Sequence, residues 1–122
     1  MHKSRLGTIV IDCQTDDLEK DARFWGEALG ATPARADSRY VWLKGRPEEV
    51  QVIAQKVDHA SRVHMDIETD DIEAEVDRLA SLGATIVERL EKWVVMEAPS
   101  KQRFCVIGPT RPDFEENANH WA

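Results

Sequence analysis

This sequence predicts an α+β fold made of two tandem βαβββ modules, and three observations predict it. Residues 9–19 (IVIDCQTDDLE) and 63–73 (VHMDIETDDIE) agree at five of eleven positions, at a spacing of 54 residues: Asp12/Asp66, Thr15/Thr69, Asp16/Asp70, Asp17/Asp71 and Glu19/Glu73. Each stretch changes from period-2 alternation to helical spacing and closes on Leu-Gly, at Leu29-Gly30 and Leu82-Gly83. Three short β-rich runs without helical period then follow each helix. A period filled twice by 122 residues implies duplication.

Each element has a local reason. Ile9, Ile11 and Cys13 alternate with Val10, Asp12 and Gln14, the pattern of a half-buried strand. Asp16 is the expected N-cap of the first helix with Glu19 three residues on, and Asp70 with Glu73 repeats the arrangement. Leu18, Ala22, Trp25 and Leu29 make one apolar stripe, and Ile72, Val76, Leu79 and Leu82 the other. Gly30 and Gly83 supply left-handed stops. Strands are expected over residues 31–36, 40–44 and 50–57, then 85–90, 93–97 and 103–107, with turns at Gly45-Arg46-Pro47 and Ala98-Pro99-Ser100. Residues 57–62 read as a linker. Residues 109–122 have no period and read as an extended arm.

Composition narrows the function classes. The length suits one domain. Acids outnumber bases 23 to 16, for a net charge of −7, which repels phosphate backbones and anionic bilayers. Nucleic acid and membrane are therefore not expected partners. No window approaches roughly 18 consecutive apolar residues, and no leader peptide is read at the N-terminus. Cys13 and Cys105 lie far apart and read as free thiols of a reducing cytoplasm, the expected location. No glycine-rich phosphate loop is present.

The tandem modules resemble the vicinal oxygen chelate superfamily, which includes glyoxalase I, bleomycin-resistance proteins and extradiol dioxygenases. The resemblance runs over residues 7–108. It is carried most by Val63-His64-Met65-Asp66-Ile67-Glu68-Thr69-Asp70-Asp71, Leu82-Gly83-Ala84, Trp93-Val94-Val95-Met96 and Phe104-Cys105-Val106, segments similar to a glyoxalase-like subgroup without an assigned activity. It implies a single domain, residues 1–122, whose curved sheet surrounds a central cleft. Module one spans 7–57, module two 62–108, and the arm 109–122. The superfamily hosts many chemistries, so function has to be argued from the site.

Metal-using members place ligands on the first and last strand of each module, which the resemblance carries onto Val10, Ile53, His64 and Cys105. Val10 and Ile53 cannot donate, and His64 with Cys105 makes only two ligands, where a catalytic metal needs three or more with an open position. The turn Asp-Pro-x-Gly-Asn, frequent in the family, stands here as Ala98-Pro99-Ser100-Lys101-Gln102. No cofactor is therefore expected, with a divalent metal left open.

By strand parity, His64, Asp66 and Glu68 face away from the helices if Met65 and Ile67 pack beneath them. Val10, Asp12 and Gln14 share that parity, as do Tyr40, Trp42, Gln51, Ile53, Gln55, Trp93, Val95, Glu97, Arg103, Cys105 and Ile107. The expected ligand contacts are His64, Asp12, Asp66, Glu68, Trp93, Gln55, Cys105 and Trp42. His64, Asp66 and Asp12 are the candidate acid–base groups: two carboxylates at equivalent positions can share a proton, and a histidine titrates near neutrality. Cys105 is either a nucleophile or a small apolar filler. Three functions follow. The favoured one is a protein that binds a small organic ligand, aromatic ones included, in a metal-free cleft. The alternatives are a metal-independent isomerase or lyase using His64 with Asp66 or Asp12, and a residual metal-dependent glyoxalase- or dioxygenase-type enzyme. The resemblance leaves open whether modules pair within one chain or across a homodimer.

Overall fold

Strand β1 (His2–Cys13) starts seven residues before the alternation that announced it, because its first half finds partners far away in sequence. The computed structural model describes all 122 residues. After β1 come α1 (Leu18–Leu29), β2 (Thr32–Arg35), β3 (Tyr40–Lys44) and β4 (Gln51–Lys56). The second module repeats the order with β5 (Arg62–Thr69), α2 (Ile72–Ser81), β6 (Thr85–Arg89), β7 (Trp93–Glu97) and β8 (Arg103–Ile107). Helix α3 (Phe114–Asn117) and strand β9 (Asn119–Trp121) follow. Backbone pairing runs β2-β3-β4-β1-β5-β8-β7-β6, with β9 on β1. The fold is the expected α+β arrangement of two βαβββ modules. No helix is long and apolar enough to cross a membrane.

The chain divides into two compact units, one of Thr8–His64 and one of Met1–Gly7 with Met65–Ala122, so β1 and β5 each contribute to both. In the unit of Thr8–His64, β1 and β4 pair in parallel with Val10 opposite Ile53 and Asp12 opposite Gln55. Ile11, Cys13, Val41, Leu43 and Ala54 pack against Leu18 and Ala22 of α1. Gly26 completes the buried stripe, since a Cβ there would stand 2.9 Å from the Ala31 carbonyl. Trp25 packs at the edge of this core, whereas Leu29, expected in it, is 51% exposed at the end of the helix.

In the other unit, β5 and β8 pair in parallel, with Asp66 opposite Cys105 and Ile67 opposite Val106. Val94, Met96 and Val106 pack on Val76 of α2, flanked by Ile72 and Leu79. Leu82 lies past the helix and is exposed. Met65, expected beneath α2, is half exposed instead.

Both N-caps sit one residue later than expected. Asp17 accepts from Lys20 N–H and Asp71 from Ala74 N–H, while the Thr15 and Thr69 hydroxyls accept from the Asp17 and Asp71 amides. The repeated Thr-Asp-Asp is therefore a hydroxyl-braced turn followed by the cap. Gly30 closes α1 at φ 69, in the left-handed region. In the turn at 98–102, Lys101 occupies the position where the family pattern has glycine, and its φ is 80. The expected linker is shorter than 57–62, because Arg62 opens β5 and Val57 is buried, its N–H donating to the Cys13 carbonyl.

The tail is not merely an extended arm. Phe114 is buried, and β9 pairs antiparallel with the start of β1, His2 opposite Trp121. Two buried carboxylates hold this region. Glu75, inaccessible to solvent, accepts from His2 Nε2 at 2.7 Å, Ser4 Oγ at 2.8 Å and Arg78 at 2.9 and 2.8 Å. Glu68, equally buried, accepts from Arg5 Nε and Thr110 N–H at 2.7 Å and from Arg111 N–H and Nε at 3.3 Å. Burial pushes both acids up, but these donors and guanidinium charges outweigh it and hold both below the ordinary glutamate value. Gly7 admits Glu68, since a Cβ at position 7 would lie 3.1 Å from the Glu68 side chain.

Candidate functional site

Core packing in the unit of Thr8–His64 sends the alternate residues of β1, β3 and β4 away from α1. That face carries Val10, Asp12, Tyr40, Trp42, Ile53 and Gln55, the parity expected from the sequence. His64, on the adjoining stretch of β5, reaches this face through its ring. Its Nδ1 stands 2.6 Å from Asp12 Oδ2, and the Arg62 guanidinium lies 3.6 Å from the same oxygen. Asp12 is 2% exposed, and its Oδ1 is buried without a hydrogen-bond partner. A buried carboxylate that relies on one oxygen needs a donor there, which places a His64 proton on Nδ1. Gln55 Nε2 donates to the Tyr40 hydroxyl at 3.3 Å on the same face.

For Asp12 the sequence reading offers a proton shared with Asp66 or an acid–base pairing with His64. The structure gives its accepting oxygen to His64, with Arg62 as the neighbouring charge. Arg62 was missed because it was read as linker, although it precedes His64 by two residues and so shares its strand parity.

Along β5, Asp66 follows His64 on the same side and pairs in register with Cys105 of β8. Asp66 and Cys105 thus bring a carboxylate and a thiol to one register position, two donors of types that zinc and iron accept. Val10 and Ile53, 1% and 8% exposed, offer a metal nothing.

Other expected contacts separate. Glu68 is consumed by Arg5, Thr110 and Arg111 and anchors the tail, so no oxygen of it faces a ligand. On β7, Val94 and Met96 turn to α2, leaving Trp93, 39% exposed, and Val95 on the other face. Glu97 on that face is paired with Arg103 at 3.1 Å. Cys13 lies on the core side of β1, where burial, then the charges of Asp21 and Asp12, push its thiol up to about 11.

Against known proteins, the family model described as a glyoxalase-like domain matches residues 8–107. Among curated proteins, none matches. Solved structures that match include homoprotocatechuate 2,3-dioxygenase from Brevibacterium fuscum with 3,4-dihydroxyphenylacetate, at TM-score 0.62 and 16% identity over 88% of this chain and 37% of that one. The homologous dioxygenase from Arthrobacter globiformis matches at TM-score 0.61 and 17% identity, over 88% and 36%. A Legionella pneumophila structure described as NAD-dependent benzaldehyde dehydrogenase matches at TM-score 0.62 and 8% identity, over 84% and 98%. This chain thus spans about a third of the length of the dioxygenases. At these identities the likeness concerns the fold.

Proposed function

Because the chain belongs to the glyoxalase-like domain family, we propose that it binds a small organic molecule at the face carrying His64, with the Asp12–His64 pair as its acid–base group. The 2.6 Å contact between Asp12 Oδ2 and His64 Nδ1 carries this reading. A carboxylate behind an imidazole fixes the tautomer, orients the ring and stabilises the imidazolium that forms when Nε2 takes a proton. The Arg62 guanidinium lies 3.6 Å from the same Asp12 oxygen, and the burial of Asp12 preserves the strength of the contact by excluding water. Trp42 and Gln55 on that face, and Trp93 on its own, are assigned as ligand contacts. They favour a ligand with a flat, partly apolar surface and an acidic hydrogen.

The test is a thermal-shift screen of planar aromatic and α-hydroxycarbonyl compounds against wild type, His64→Ala and Asp12→Asn. Ligands that stabilise wild type should lose their effect in His64→Ala and weaken in Asp12→Asn. Equal stabilisation of all three proteins would remove His64 from the site.

A second reading, in which a divalent metal takes part, is separated from this one by elemental analysis. One equivalent of zinc or iron, lost in both His64→Ala and Cys105→Ala, favours a metal centre, and metal-free protein that still binds ligands favours the first reading.

A further inference from the structure

A cavity of about 380 Å³ lies in the unit of Met1–Gly7 with Met65–Ala122, within the size range of small-molecule pockets. Its walls include Leu6, Met65, Ile67, Phe104 and Trp121. Met65 and Ile67 alternate with Asp66 along β5, so the cavity lies on the face of that strand away from Asp66. Met65 is 51% exposed and Leu6 39%.

The charged groups around the cavity, Ser4 and the Trp121 indole N–H are already engaged. Glu75 holds the Arg78 guanidinium through two hydrogen bonds, and that guanidinium lies 3.8 Å from the centre of the Trp121 ring. The Trp121 indole N–H donates to Ser4 Oγ at 2.8 Å, and Ser4 donates in turn to Glu75. Arg5, at the margin, is held by Glu68 and Asp113 at 2.7 Å each. No unpaired charge is offered to an occupant, so an anionic ligand would gain nothing against its desolvation. The indole is fixed on one side by the guanidinium and at its edge by Ser4, which makes a flat wall that costs little to order on binding.

We propose that this cavity is a second ligand site, taking a neutral, planar, apolar molecule against Trp121, independently of His64. The probe is N-phenyl-1-naphthylamine, neutral and fluorescent in apolar surroundings. It should bind wild type at one site per chain, with energy transfer from tryptophan that falls in Trp121→Phe although binding remains. Met65→Glu and Leu6→Gln, both at partly exposed positions, should each weaken binding at least about tenfold by placing a polar group in the wall. His64→Ala should leave probe affinity unchanged, so the two sites fail or succeed separately. The proposal is overturned by absent saturable binding, by affinity unaffected in both wall variants, or by affinity lost in His64→Ala. A wild-type dimer in sedimentation that Met65→Glu dissociates would also overturn it, because a second copy would then cover this surface.

Discussion

Removing the Glu68 side chain should be among the most damaging single changes in the molecule. Glu68 is inaccessible to solvent and gathers Arg5, Thr110 and Arg111, so Glu68→Ala leaves several buried donors without an acceptor. Deleting one partner of a buried ion pair costs about 3–5 kcal/mol. Arg5 keeps Asp113, a carboxylate 51% exposed that compensates in part, which places the expected loss at about 3 kcal/mol, the lower end of that range. Against a total stability of roughly 5–15 kcal/mol, the variant stays folded but loses a large share. The assay is urea unfolding followed by tryptophan fluorescence. For slopes of about 1–3 kcal/mol/M, the midpoint should fall by roughly 1–3 M. Glu68→Gln, which keeps an acceptor oxygen but no charge, should fall between the two. If both variants lose less than about 1 kcal/mol, the range of an exposed pair, the burial argument fails and the tail is held by other contacts.

Other expectations follow from the same contacts. Glu68 and Glu75 are both held below the ordinary glutamate value of 4.5, so their stabilisation is complete above that pH and lost as pH falls through their folded-state values. The urea midpoint should drop in that acid window in wild type, and more gently in Glu75→Gln. Cys13, its thiol pushed up to about 11, should react slowly with a disulfide reagent in folded Cys105→Ala at pH 8 and quickly in urea; equal rates would contradict its burial. Gly26→Ala sets a helix-propensity gain of about 1 kcal/mol against a Cβ 2.9 Å from a carbonyl oxygen, an overpacking that costs about 1–3 kcal/mol. A lowered melting temperature is expected. Lys101→Gly should raise it, by removing about 1 kcal/mol of left-handed strain at φ 80.

Much of the fold was legible because local pattern and tertiary role agree. The strands at 40–44, 93–97 and 103–107 have the bounds that alternation assigns them. The caps were misplaced by one residue because Asp-Asp offers two acceptors, and only the Thr15 and Thr69 hydroxyls decide which turn forms. Strand β9 was illegible because three residues have no period, and its reason for existing is a partner at the other end of the chain. Glu75 carried a faint signal, a charge inside the apolar arc of α2, but the His2 and Ser4 that justify it lie more than seventy positions away. At the site, parity found Asp12 and His64, whereas Glu68 shares that parity and serves the tail. Alternation specifies a face, not what meets it.

The division of the chain has a consequence for synthesis. Thr8–His64 is continuous, while the unit around it is closed by segments from both ends, with His2 opposite Trp121. On a ribosome, the inner unit has all its residues once His64 has left the exit tunnel. The first seven residues must wait for β5, α2 and finally β9 before their hydrogen bonds are satisfied. Pairing β9 with the start of β1 therefore closes a very long loop, whose entropy cost grows with its length.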